Sequence, residues 1–392
     1  MLPFRILRTI SVIHLLLSIS TLAATPAYSS LGPFRVSDAD GNSVRVGFSV
    51  QTRFDFESKD QGDHADRTET LHGYFRTMRP VLSGSFLDNR LGCYFQLNTI
   101  PGAMELMDMY FDWNASRHVR IRFGQSKVPF TYYRNQSRLR STFVDWPIVS
   151  PYFGAERQVG FCIHNGLDKP PIYEYVFGVY AGANARASHG VGVAKAYKIT
   201  PANPSDLTGD GGKYEFNPEL FLRLAYNHNG IDLRSDTDPD RGPLRYSLGA
   251  SIAWDLKAEM HVDFNWRIAP EILAKYEGFA VGLIGYAGGS RVGEEVEVKP
   301  ATIGWLVRAA YRIDEHWEVS ARAASVHLRC DLTEDLERHR IDYARHNHDE
   351  LSLGVNHYLV GHNLKLLGTV DWQRYFTGRT DLFVQTQFQL AF

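Results

Sequence analysis

From residue 43 onward, apolar and polar side chains alternate in one short run after another, and this pattern constrains the fold more than any other feature of the chain. In VRVGFSVQTRFDF (44–56), Val44, Val46, Phe48, Val50, Phe54 and Phe56 fall on one side, and Arg45, Gly47, Ser49, Gln51, Arg53 and Asp55 on the other. In the final stretch DLFVQTQFQLAF (381–392), Leu382, Val384, Thr386, Phe388, Leu390 and Phe392 oppose Gln385, Gln387 and Gln389. Successive side chains of a β-strand point to opposite faces, so each run reads as a strand with one greasy face and one wet face. LGCYFQLN (91–98), MDMYFDWN (107–114), VRIRFGQS (119–126) and residues 302–312 repeat the pattern.

A soluble sandwich also alternates, with its polar face toward bulk water; the connection lengths separate the two cases. The chain holds about sixteen such segments, the even number a transmembrane barrel requires. Tight connections at Asp88-Asn89, Ala115-Ser116 and Gly361-His362 follow even-numbered strands, and long ones at 57–70, 128–155, 183–217 and 330–348 follow odd-numbered strands. That parity places short turns on one rim and long loops on the other. Between 229 and 275 the scheme strains, with one connection too long and another too short, where strands are read at 242–255, 258–272 and 274–288. In lipid every backbone amide needs a partner inside the protein, so the sheet closes on itself and the last strand pairs with the first, near 43–56. The apolar faces then meet lipid, the glutamines of the last strand meet a wet lumen, and Trp113, Trp305, Trp317, Trp372 and Tyr375 fall toward strand ends as an aromatic girdle.

The charge balance of 42 Lys plus Arg against 44 Asp plus Glu gives no electrostatic case for a nucleic-acid partner. Aromatic residues at 13% and 33 glycines suit twisted, closely paired strands. Ahead of the strands, Arg5 and Arg8 precede an apolar run from Ile10 to Leu22 and small residues at Ala23, Ala24, Ala27 and Ser29. This order predicts a signal peptide over 1–29, cut between 23 and 30, then a lead-in over 30–42 and the barrel over 43–392. The apolar run is too short to span the roughly 30 Å hydrocarbon core as a helix. Cys93, Cys162 and Cys330 are odd in number and widely spaced, which offers no disulfide framework or metal spacing, and the first two fit small apolar strand residues.

Four stretches, RFGQSKVPF (122–130), ERQVGFCIHNG (156–166), KYEGFAVGLIGY (275–286) and ELSLGVNHYLVGHNLKLLGTVDWQRY (350–375), resemble the phosphate-selective porins O and P. The resemblance covers most of the chain from residue 43 on. It implies a sixteen-stranded, homotrimeric barrel in the bacterial outer membrane, with a loop folded into the lumen as a constriction. It also implies that Phe392 forms part of the signal read during assembly. The constricting loop corresponds to residues 128–155, which carry Arg134, Arg138 and Arg140, with Lys127 just before and Arg157 just after; Asp145 and Glu156 oppose them. Phosphate-selective members are expected to use several pore lysines, and here Lys127 alone stands near the loop.

Arginines at lumen parity along the strands, namely Arg45, Arg53, Arg120, Arg122, Arg223, Arg245, Arg308 and Arg322, extend the basic lining. Fixed cations in a narrow pore raise the local anion concentration. The opposing expectation pairs them with the luminal acids Asp55, Asp108, Asp112, Asp255 and Asp263, which merely fills a wet interior. The leading expectation is a passive channel for small hydrophilic solutes, phosphate or other anions among them, embedded in outer-membrane lipid and needing no cofactor. About sixteen strands enclose an interior too wide for side chains alone to fill. The competing expectation is a non-conducting envelope barrel, either a lipid-modifying enzyme or a surface protein. His261, His357 and His362 could serve such an enzyme, but no spacing rule places a serine with them, and no GxSxG elbow occurs. His346, His348, Asp349 and Glu350 could be read as a metal cluster, but solvated loop residues explain them better.

Overall fold

Antiparallel pairing runs unbroken around the molecule. A computed structural model describes residues 32–62, 67–153, 157–167, 169–180, 218–256, 266–289, 301–329, 348–375 and 378–392. The expected signal peptide, Glu156, Asp263, His261, His346 and Cys330 lie outside them. A short strand, β1 (Phe34–Ser37), pairs with the first wall strand. The first half of the wall is β2 (Ser43–Lys59), β3 (Thr68–Phe86), β4 (Leu91–Ile100), β5 (Ala103–Asn114), β6 (Arg120–Lys127), β7 (Arg157–His164), β8 (Tyr173–Tyr180) and β9 (Glu219–His228). The second half is β10 (Arg245–Asp255), β11 (Trp266–Tyr276), β12 (Phe279–Gly289), β13 (Ala301–Arg312), β14 (Trp317–Arg329), β15 (His348–Val360), β16 (Leu364–Tyr375) and β17 (Thr380–Ala391). Each wall strand pairs with the next, and β17 returns to β2 in register from Asp381↔Lys59 to Ala391↔Ser49. The result is the closed sixteen-stranded antiparallel barrel expected from the alternation, with no wall edge left to be satisfied by lipid.

The faces fall as the period of two requires. Gln51, Arg53 and Asp55 are at most 4% exposed on the inside, while Phe54 between them is 58% exposed on the outside. In β17, Gln385, Gln387 and Gln389 are buried and Phe388 faces out. Outward aromatics gather toward both rims: Trp254, Trp266 and Trp372 toward the long loops, and Trp113, Tyr173, Phe279 and Tyr311 toward the short turns. Substituting both Phe388 and Leu390 by Lys puts charge on the lipid face. Each costs about 2–4 kcal/mol near the midplane and less toward the rim. The double variant is expected to be lost from the outer membrane, read as disappearance of the heat-modifiable folded band. A normal level of that band would reverse the assignment of faces.

Two boundaries differ from the sequence reading. The strand expected at 258–272 is β11, which runs to Tyr276 and turns through Glu277 and Gly278, both at positive φ (46° and 92°). Such a two-residue hairpin fits the right-handed twist of its strands, and its Glu-Gly sequence lacks the usual Asn-Gly or Asp-Gly signal. The connection that looked too long, 229–244, is long because it does not stay at the rim. It folds up into the lumen, burying Ile231, Leu233, Ser235, Asp236, Thr237 and Asp238.

Candidate functional site

Residues 128–153 leave β6 on the long-loop side and turn inward. A one-turn helix (Tyr132–Asn135) starts at Thr131, whose hydroxyl accepts from the Arg134 amide at 3.1 Å, and a 3-10 turn follows at Arg138–Arg140. Buried backbone needs partners, and the strands send side chains inward to supply them. Glu271 accepts from the Tyr132 amide at 2.9 Å, Thr369 from that of Val144 at 3.1 Å, and Glu350 from that of Ile148 at 2.8 Å. Lys365, Asn356, Arg322 and Gln389 donate to the carbonyls of Ser141, Thr142, Asp145 and Leu139.

The apolar side of the segment packs Phe130, Tyr132, Tyr133 and Phe153, each at most 2% exposed, against Phe221 and Tyr286 on the wall. Gly282 and Gly304 make the close approach possible, since a Cβ at either would strike the Tyr132 hydroxyl or the Phe153 ring. This packing, with 229–244 beneath it, fills the lumen along β9 to β15. Open space remains toward β2 to β7, β16 and β17.

Asp145 ties the segment to that open side, accepting from Arg53 at 3.0 Å and Arg138 at 2.8 Å. Burial pushes its carboxyl up, but the Arg138, Arg53 and Arg76 charges outweigh this and hold it well below the ordinary range. A carboxyl so lowered stabilises the fold above its unfolded pKa, and that contribution is lost only as pH falls through the lowered value. The anchor therefore holds at neutral and mildly acidic pH. Burial brings Arg138 itself down to about 10, so it remains charged at neutral pH.

Among the described residues, cavities lie along the open side. One of about 320 Å³ sits among Arg53, Arg76, Asp145, Trp146, Arg322 and Glu350. A second, of about 260 Å³, lies toward the long loops by Asn98 and Glu105, and a third, of about 280 Å³, lies toward the short turns by Tyr110 and Leu167. Arg79, Lys127, Arg138 and Arg157 line both the second and the third. Asp108 pairs with Arg157 through two bonds of 2.9 and 3.1 Å. Arg79 has no carboxylate within ion-pair distance among the described residues, and its Nε is buried without a partner.

The basic residues singled out in the sequence scatter around this point. Lys127 donates to the Gln136 carbonyl at 2.7 Å. Arg134 lines only the long-loop cavity, 5.3 Å from the Trp146 ring, and Arg140 lines only the short-turn cavity, 3.3 Å from Asp232. Arg122 makes a two-pronged pair with Asp112 at 2.8 Å. Arg223 and Arg308 point inward but are ion-paired: Arg223 lies between Glu174 and Glu271, and Arg308 binds Asp236 beneath the Tyr133 ring. Arg322 likewise binds Glu350 and Asp371. Arg245 pairs with Asp238 and Asp240 near the short-turn rim, Arg120 is half-buried beside the 115–119 turn, and Arg45 is exposed. His348, Asp349 and Glu350 open β15 and alternate in facing, with Glu350 inward on Arg322, so they do not converge on one ion.

Arg76 and Arg79 escaped the parity argument because a bulge interrupts β3. Gln51 pairs with Thr77 but Thr52 with Phe75, which leaves Arg76 as the extra residue and reverses inward parity across it. Tyr74 and Arg79, of opposite parity, therefore both face the lumen, and nothing in the sequence marks the bulge.

Comparison with known proteins agrees with this architecture. An uncharacterized protein of Aquifex aeolicus is 22% identical over 357 residues, covering 82% of this chain and 80% of its own length. The outer membrane channel DcaP of Acinetobacter baumannii superposes with a TM-score of 0.59 at 12% identity, covering 92% of this chain and 100% of that one. OmpF of Salmonella typhi, in complex with daunomycin, does so with 0.53 at 11% identity, covering 91% and 100%. The profile of the phosphate-selective porin O and P family matches residues 44–275. A closed barrel with inward basic residues and a lumen-filling segment is the build of a channel rather than an enzyme, and it sits in the bacterial outer membrane. This chain belongs to the phosphate-selective porin O and P family.

Proposed function

We propose that the channel passes small anions by passive diffusion, and that Arg79, Lys127, Arg138 and Arg157 border its narrowest zone. The observation that carries this reading is that these same four side chains line the cavities on both sides of the inward segment. Any solute moving from one cavity to the other passes them. The acids on these two cavities are Glu105, Asp108 and Glu174, of which Asp108 is committed to Arg157 and Glu174 to Arg223. Basic groups crowded at low dielectric raise the local anion concentration and set a barrier to cations. Arg134 and Arg140 flank the zone on either side, and Arg53, Arg122, Arg223, Arg245 and Arg308 shape it mainly through their ion pairs.

The family name favours phosphate among the anions, although Lys127 is the single lysine at this point. Residues 1–29 act as the exported leader in this reading, and the barrel works as a homotrimer; OmpT of Vibrio cholerae in its trimer form superposes with a TM-score of 0.50. Reversal potentials of the purified protein in planar bilayers under a KCl gradient test the proposal. A potential near the chloride equilibrium value is expected. A potential near the potassium value would overturn it, and silence from folded protein would remove conduction altogether.

A further inference from the structure

The short-turn cavity has a lining that selection for a bare inorganic anion does not explain. Tyr94 on β4 and Tyr110 on β5 are cross-strand partners whose rings stack at 5.2 Å and 18°. The Arg122 guanidinium lies 4.0 Å from the centre of the Tyr110 ring, which extends the stack to a third strand. Gly124 keeps this part of the wall tight, because a Cβ there would press on the backbone of Met109 and Tyr110. Leu139 of the 3-10 turn and Leu167 line the same cavity as the stack. Tyr94, Tyr110, Leu139 and Leu167 are all only part-buried.

Apolar area left against water in a wet lumen costs about 25 cal/mol per Å², and it is recovered only when something apolar covers it. Leu139 is flanked in sequence by Arg138 and Arg140, so this turn presents a hydrocarbon side chain between two charges. Phosphate or chloride would gain from the arginines and nothing from the leucines or the tyrosine stack. A carboxylate carried on a ring or short hydrocarbon body gains from both, with its charge on Arg79 or Arg138 and its body on Tyr94, Tyr110 and Leu139. A cavity of about 280 Å³ lies near the lower end of small-molecule sites, which suits one compact molecule.

We propose that this cavity is a binding site for small organic anions with an apolar body, of the aryl carboxylate class. The proposal rests on the anion-channel reading above. Its test compares benzoate with acetate, which carry the same carboxylate and differ only in the apolar body. Each is added to single channels of the full protein conducting chloride in planar bilayers, and the block of current is titrated. Benzoate is expected to block at concentrations about tenfold lower than acetate, the ratio expected when a small apolar surface is covered.

In Leu139→Ser, and separately in Tyr94→Ala with Tyr110→Ala, that ratio should fall toward one. Leu139→Ser alters one part-buried side chain on the loop, so it keeps the test alive should the tyrosine variant fail to fold. Equal block by benzoate and acetate in the parent channel would overturn the proposal, as would a ratio unchanged in a folded Leu139→Ser protein. Failure of the anion reading shows separately, as a reversal potential near the potassium value in the same bilayers.

Discussion

Replacing Arg79, Lys127 and Arg138 together by Gln is expected to carry the reversal potential from the chloride side toward the potassium side, changing the permeability ratio by about tenfold. All three border both cavities at the narrow zone, and Arg79 has no ion-pair partner among the described residues. Charge further away contributes little, because ionic screening at physiological salt acts over about 8 Å. Substituting Arg67, Arg374 and Arg379 at the long-loop rim removes as much formal charge and should leave the ratio close to that of the parent. The triple Arg134, Arg138 and Arg140 should fall between the two, since only Arg138 of that set borders both cavities. The order of the three variants reports position, because net charge is the same in each. Equal shifts from all three would remove Arg79, Lys127, Arg138 and Arg157 from any special role. Anchoring should survive the substitution: Arg53 still holds Asp145 at 3.0 Å once Arg138 is gone.

Much of this architecture is written locally, in the alternation of side chains. A period of two assigns every residue of β2 and β17 to a face, and closure follows from the need to pair backbone in lipid, so both were legible without coordinates. The inward segment could be placed at 128–155 by its resemblance to family sequences and by the length of its connection. What stayed hidden depends on residues far apart in the chain. Arg223 and Arg79 both face the lumen, yet Arg223 is neutralised by Glu174 and Glu271 while Arg79 is not, and no spacing reveals which. The bulge at Arg76 reverses parity within a strand that otherwise looks regular. The 229–244 connection looked like an error of strand counting because short-rim turns are ordinarily brief. Its buried Asp236 and Thr237 make sense only once Arg308, Glu318 and Thr142 are seen around them.

That connection leads to the second large effect, expected from Asp236→Asn. Asp236 is 3% exposed and binds Arg308, itself 3% exposed, inside the barrel. Removing one member of a buried pair leaves an uncompensated charge, at a cost of about 3–5 kcal/mol, whereas removing both often costs little. Asp236→Asn should therefore lower the temperature at which the folded band converts to the unfolded one. Adding Arg308→Gln should restore most of the loss. The recovery is incomplete, because the Arg308 guanidinium also lies 4.5 Å from the Tyr133 ring and supports the inward segment.

The reason for treating 229–244 as part of the pore, and not as a stray turn, is the set of bonds it shares with 128–153. Gln136 donates to the Leu233 carbonyl at 3.0 Å, Arg140 pairs with Asp232 at 3.3 Å, and the Thr142 hydroxyl donates to Asp236 at 3.4 Å. The inward segment is thus held on two sides, by Asp145 on the β2 wall and by 229–244 from below. If this support matters to conduction, Asp236→Asn channels should show noisier open-state current than the parent, and the double variant quieter current than the single. Asp236→Asn with unchanged stability and unchanged current noise would reduce 229–244 to filler, and the narrow zone would then depend on the long-loop side alone.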